Sequence, residues 1–149
     1  MAVVSKMVTI NAPPEKVFSI LDDPNAIPQY APGVTRVADI KQSEKRLGDS
    51  ARVTYSVMGI RFPMKMTVVD YTKPSKLSLG MEGGMKGTMT WMLGAKGKGT
   101  ETNIRIDYQM KGGILGKAIN TLLMERMNEK NAERMLENLK MLCEAPEKK

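Results

Sequence analysis

The side chains able to do chemistry in this sequence are few, and an absence constrains them first. The chain has no histidine, one cysteine and 14 methionines. Without histidine there is no Ser-His or Cys-His nucleophile pair and no His-containing metal site. Cys143 lies near the chain end with no matching base, so it reads as structural or incidental. The string Gly112-Gly113-Ile114-Leu115-Gly116-Lys117-Ala118 has the wrong glycine spacing for a phosphate loop. It also places Ala118 where a Ser or Thr would hold magnesium, so Gly112 and Gly113 are read as a strand-to-helix turn. Asp70 and Asp107 alternate outward, and Glu125, Glu129, Glu133 and Glu137 beside Arg126, Lys130 and Arg134 read as a solvated helix face with i,i+3 pairing. No catalytic residue, metal site or cofactor follows from these residues. Recognition chemistry remains: the amides of Asn128 and Asn131, the hydroxyls of Tyr55 and Tyr108, the indole of Trp91 and the polarizable methionines.

The elements that must position these groups are legible in the hydrophobic period. Val3 to Ile10 is rich in β-branched residues and ends at Asn11-Ala12-Pro13-Pro14. Proline suits the first turn of a helix, so Pro14 to Leu21 is expected to be helical, with Val17, Phe18 and Leu21 on one side. Asp23-Pro24 stops it, and Asn25 to Tyr30 forms a second short helical turn closed by Ala31-Pro32-Gly33. From Val34 to Met110 the period becomes two, as in Val53, Tyr55, Val57 and in Phe62, Met64, Met66, Val68. The same alternation runs through Leu77, Leu79, Met81, then Met85, Met89, Trp91, Leu93, then Ile104, Ile106, Tyr108, Met110. Successive strands with one apolar and one polar face form an antiparallel meander covered on one side. Pro63 on the polar face implies an edge strand or a bulge.

After Gly112-Gly113 the period is that of a helix until Pro146. Roughly 30 residues at about 1.5 Å each give a helix of about 45 Å, long enough to cross the sheet. Met135, Leu139 and Leu142 define its inward side, which projects back through Asn131, Asn128, Met124 and Thr121. A second stripe, Leu115, Ile119 and Leu122 with Leu123, is displaced from the first by roughly 130°. A straight helix cannot bury both stripes against one sheet. Either it kinks near Leu123 to Met127, or the short helices and the loop at Ile27 to Tyr30 cover the stripe, or the stripe meets a partner, membrane or ligand. Four large apolar side chains left in water would forgo roughly 1.5–3 kcal/mol each. Asn128 and Asn131 facing the sheet would each cost about 1–3 kcal/mol if unpaired. They either line a wet or ligand-filled cavity or hydrogen-bond locally.

At 149 residues with 42% hydrophobic and 26% charged residues, the chain is expected to be one soluble domain over residues 1–145, with a short charged tail at 146–149. The N-terminus shows no secretory pattern, and one cysteine permits no internal disulfide, so the expected location is cytoplasmic. The net charge of +7 favours anionic partners, but the basic residues are scattered and aromatics are only 5%, which disfavours nucleic acid.

The order strand, two short helices, meander and long helix resembles the SRPBCC helix-grip superfamily. That superfamily includes START lipid-transfer domains, polyketide cyclase/dehydrase proteins and a small component of carbon monoxide dehydrogenase. The likeness is carried by Ile10-Asn11-Ala12-Pro13-Pro14-Glu15-Lys16-Val17-Phe18, Asp23-Pro24-Asn25, Pro32-Gly33-Val34, Gly87-Thr88-Met89-Thr90-Trp91 and Gly99-Thr100, and it covers essentially the whole chain. It implies an α+β helix-grip fold, a curved antiparallel sheet of about six or seven strands around the C-terminal helix, with an internal cavity. The superfamily has no shared catalytic motif, so no catalytic residue is carried over. The ligand-facing candidates are Tyr55, Phe62, Met64, Met66, Leu79, Met81, Met89, Trp91, Ile106 and Tyr108 from the sheet. From the helix they are Thr121, Met124, Asn128, Asn131 and Met135. A packed core that happens to use methionine would give the same pattern.

Three functions compete. The first is non-enzymatic binding or carrying of a small lipid, isoprenoid or polyketide-like molecule. The second is a cyclase or dehydratase that works by shaping such a molecule. The third is an adaptor like the carbon monoxide dehydrogenase component, touching a partner or an anionic membrane through basic residues and the Leu115–Leu123 stripe. A monomer or weak homodimer is expected.

Overall fold

Pro13 in an extended conformation, followed by Pro14 at the first helical position, turns the chain out of its first strand. In the computed structural model, which describes residues 2–57, 59–83, 85–110 and 121–145, that strand is β1 (Ala2–Ile10) and the helix is α1 (Pro14–Leu21). Val17, Phe18 and Leu21 are its buried face, and full burial of a side chain such as Phe18 contributes about 1.5–3 kcal/mol. The Asp23 carboxylate accepts from the Asn25 backbone N–H at 3.0 Å and caps a 3₁₀ turn (Pro24–Ala26) that runs into α2 (Ile27–Tyr30). Gly33 then adopts φ +88°, and a Cβ there would lie 2.7 Å from the Ser56 carbonyl oxygen, so the entry to the sheet requires glycine.

The meander comprises β2 (Val34–Lys41), β3 (Ser50–Val57), β4 (Ile60–Thr72), β5 (Lys76–Gly83), β6 (Met85–Lys96) and β7 (Gly99–Met110). With β1 they form one seven-stranded sheet in the order β1-β7-β6-β5-β4-β3-β2, every pair antiparallel. The two outer strands are β1 and β2. Irregular register in β2, and Asp39 at φ 51°, blunt that edge against further pairing. Pro63 pairs with Thr54 of β3; its strand is not an outer one, since β5 flanks it from Met64 onward, but it does carry a bulge, between Val68 and Asp70.

The last helix, α3 (Thr121–Glu144), lies along β1 and against α2, giving the helix-grip arrangement. Among its described side chains, Asn128, Ala132, Met135, Leu136, Leu139 and Cys143 are buried, whereas Asn131 and Leu142 are only partly buried. The inward face is therefore wider than the periodicity implied, and extends towards Ala132, Leu136 and Cys143. The cause is contact on both flanks. Lys140 donates to the Thr9 carbonyl, Lys6 pairs with Glu133, and Glu144 accepts from the Asn11 backbone N–H, which ties one flank to β1 and the turn after it. On the other flank Asn138 donates to the Tyr30 carbonyl and Asn131 to the Tyr55 hydroxyl. Leu115 and Ile119, and the side chains of Leu122 and Leu123, lie outside the described residues, so the second stripe does too. No described helix is long and apolar enough to cross a membrane.

Candidate functional site

Register converts the alternating strand pattern into rows across the inner face of the sheet. One row pairs Ala51, Met66, Met81, Gly87 and Tyr108 across β3 to β7. The next pairs Val68, Leu79, Met89, Ile106 and Val4, and a third pairs Leu77, Trp91 and Ile104. Met64, Met66, Met81, Trp91, Ile106, Tyr108 and Met135 are buried, and Leu79 and Met89 are partly buried. Trp91 meets Tyr30 edge to face, with ring centroids 6.1 Å apart. The side chains of Phe62, Thr121 and Met124 lie outside the described residues.

Gly87 occupies the inner face between Met81 and Tyr108 because β7 comes too close for any side chain there. A Cβ at Gly87 would sit 1.9 Å from the Asp107 carbonyl oxygen.

At the α3 side of this wall four polar groups come together. Asn128 and Asn131, three residues apart, project from one side of α3. The Asn131 amide donates to the Tyr55 hydroxyl at 3.0 Å. Burial pushes the Tyr55 hydroxyl above its usual pKa, the bond from Asn131 opposes this, and the neighbouring Tyr108 adds to the rise. Tyr108 is also raised, mainly by burial. The Asn128 amide opposes that rise, and the Glu125 and Glu129 charges reinforce it. Although the Asn128 amide lies near enough to influence Tyr108, the two do not meet in hydrogen-bonding geometry, and both the Asn128 Nδ2 and the Tyr108 Oη are buried without a partner. Nothing in this cluster is an ionised acid or base, so it can orient and polarise a bound group but offers no carboxylate or imidazole for proton transfer.

A second feature was not legible in the sequence. A recess of about 40 Å³ opens between α1, the 3₁₀ turn and strands β3 to β5, lined by Leu21, Pro24, Ile27, Ala51, Met66, Val68, Leu77 and Leu79. That is room for a few waters, not for a molecule of lipid size. Met66 and Leu79 are the two expected site residues in its wall. The end of β2 closes it through Lys41, and the β2–β3 loop through Gln42, Arg46 and Asp49. Arg46, at φ 64°, donates to the Asp22 backbone carbonyl at 2.7 Å and pairs with the Asp22 carboxylate at 3.0 Å. The Tyr71 hydroxyl donates to the same carboxylate at 2.9 Å, and the Tyr71 ring packs edge to face on Phe18. Burial works to lower the Arg46 pKa, but Asp22 and Tyr71 together outweigh it and raise it. No local pattern announces this network, because it joins positions far apart in sequence.

Elsewhere, Asp70 pairs with Lys76 and Asp107 with Arg105 at the surface. Glu133 of the acidic series is paired with Lys6 of β1 rather than along the helix. Cys143 is buried, and that burial pushes its thiol up to about 11, away from nucleophilic chemistry.

Residues 1–144 match the family described as polyketide cyclase / dehydrase and lipid transport, and the chain belongs to that family. Among solved structures, a START superfamily protein from Mycobacterium smegmatis superposes with a TM-score of 0.79 at 17% identity, covering 95% of this chain and 97% of that one. The ZhuI aromatase/cyclase from Streptomyces sp. R1128 gives 0.75 at 16% identity, over 96% and 93% of the two chains. A protein from Thermus thermophilus gives 0.73 at 22% identity, over 93% and 94%. At these identities the likeness is one of fold. No curated protein matches the chain.

Proposed function

We propose that this member of the polyketide cyclase / dehydrase and lipid transport family holds a small hydrophobic molecule, of lipid, isoprenoid or polyketide-like character, against the inner face of its sheet. The observation that carries this reading is an apolar, methionine-rich wall with Tyr55, Tyr108, Asn128 and Asn131 gathered at its α3 side. A wall of that kind accepts an apolar body and orients a single polar end. Met64, Met66, Met81 and Met89 can change rotamer to admit ligands of different outline, since the thioether side chain is unbranched and flexible.

Methionine-methyl NMR tests the proposal with internal controls. An organic extract of the host should shift the methyl signals of Met66, Met81 and Met89. It should leave those of Met7, Met92 and Met141, which are 56%, 42% and 71% exposed, in place. Shifts confined to the exposed methyls would contradict interior binding.

A cyclase-type activity is the second reading, favoured by the likeness to an aromatase/cyclase and by two tyrosine hydroxyls beside two amides. Such an enzyme would act by fixing the conformation of a flexible substrate. Asn131→Leu and Tyr108→Phe should then abolish product formation while ligand is still bound; unchanged turnover would exclude these residues from catalysis.

A further inference from the structure

The orphaned pair on the inner wall says more about the ligand than that it is hydrophobic. Asn128 is 8% exposed and Tyr108 3%, and the polar atoms they bring inward, Nδ2 and Oη, have no partner. Native interiors rarely leave such groups unpaired, and each one that is calls for an explanation. The third orphan among the described residues, the Thr102 hydroxyl, sits six residues back along β7, roughly 20 Å away, and is separate.

The chemistry of the two atoms narrows what would complete them. The Asn128 Nδ2 can only donate, and the Tyr108 hydroxyl can donate into the same space. Two such donors are matched by one oxygen with two lone pairs and no proton of its own, since a hydroxyl would bring a third donor to the same space. The neighbouring Tyr55 hydroxyl is engaged with α3 elsewhere, as the acceptor of the Asn131 amide. Charge narrows the choice again. Glu125 and Glu129 flank Asn128 along α3 and place negative potential on Tyr108. Among the described residues, no hydrogen bond or ion pair brings a lysine or arginine to either atom. A carboxylate entering here would lose its hydration and meet the like charges of Glu125 and Glu129.

We propose that Asn128 and Tyr108 form a two-donor subsite for a neutral carbonyl oxygen of the bound molecule, selecting ketones, aldehydes and esters over hydrocarbons, alcohols and carboxylates. The proposal rests on the interior binding proposed above and adds the functional group that is read.

Four probes of one skeleton test it by isothermal titration against the full chain: tetralin, 1-tetralone, 1-tetralol and tetralin-1-carboxylate. 1-Tetralone is expected to bind at least about tenfold more tightly than the others, the combined effect of two net hydrogen bonds. Tyr108→Phe and Asn128→Leu should each bring 1-tetralone to within about threefold of tetralin, with tetralin itself unaffected. Far-UV circular dichroism confirms that each variant is folded, and either one alone carries the test. Equal binding of all four probes, tightest binding of the alcohol or the carboxylate, or a ketone preference that survives in both variants would overturn the subsite while leaving interior binding intact. Failure of every probe to bind would overturn both.

Discussion

Replacing Tyr108 by phenylalanine should stabilise the resting protein, the reverse of the usual result for a buried tyrosine. Its ring is buried at 3% exposure in the row with Met81 and Gly87, and phenylalanine keeps that packing. The hydroxyl has no partner, so its removal gives up no hydrogen bond and relieves a buried polar group, a gain of about 1 kcal/mol on a range of roughly 1–3. For a chain of 149 residues this corresponds to a rise in Tm of about 2–4 °C per kcal/mol. Asn128→Leu should act in the same direction, but better helix propensity adds to its gain, so Tyr108→Phe is the cleaner measurement. The double variant separates two accounts of the pair. If both atoms are orphans, the two gains add to within about 0.5 kcal/mol. If the atoms are bonded to each other, each single change destabilises by orphaning its neighbour and the double change recovers the loss. Urea unfolding of the four proteins decides it, and a lower midpoint for Tyr108→Phe would show that the Tyr108 hydroxyl is bonded after all. Tyr55→Phe is the control: it removes the acceptor of the Asn131 amide and should destabilise by about 0.5–1.5 kcal/mol.

Three further outcomes follow from contacts outside this cluster. Arg46→Ala should lower stability by about 1–3 kcal/mol, because it leaves the part-buried Asp22 carboxylate short of its guanidinium partner. Hydrogen exchange should quicken over residues 42–49 of the β2–β3 loop, and unchanged exchange there would show that Arg46 does not hold the loop. Glu144 has its pKa held below the usual 4.5, first by the Asn11 backbone N–H and then by Lys140. A lowered folded value contributes stability that is present above pH 4.5 and is lost as pH falls through it, so Glu144→Gln should flatten the acid limb of stability against pH. An unaltered acid limb would contradict that pairing. Cys143, with its thiol near 11, should resist iodoacetamide at pH 7.5 in the native state and react once unfolded in urea; rapid native labelling would contradict its burial.

Much of the fold was legible because its signals are local. Pro13-Pro14 places α1, period-two runs place β3 to β7, and Asp23-Pro24 marks the break between the short helices. The face of α3 was only partly legible. Period alone centred it on Met135, Leu139 and Leu142, but contact with β1 on one flank and α2 on the other buries Ala132, Leu136 and Cys143 as well. Asn128 stood out as an inward polar residue because an amide recurs where the helical period demands an apolar side chain. That it would lie beside Tyr108 rather than Tyr55 depends on cross-strand register and on Gly87, which no local pattern encodes. The Asp22–Arg46–Tyr71 network was hidden for the same reason: it joins a helix end, a loop and a strand through tertiary geometry alone.

Native mass spectrometry of the protein purified from its own host decides whether a small hydrophobic molecule occupies the interior. A fraction of the protein should carry one extra mass that is released on denaturation, extracts into organic solvent and contains a neutral carbonyl. Protein that is uniformly at its bare mass, and stays so after incubation with the host's organic extract, would contradict it.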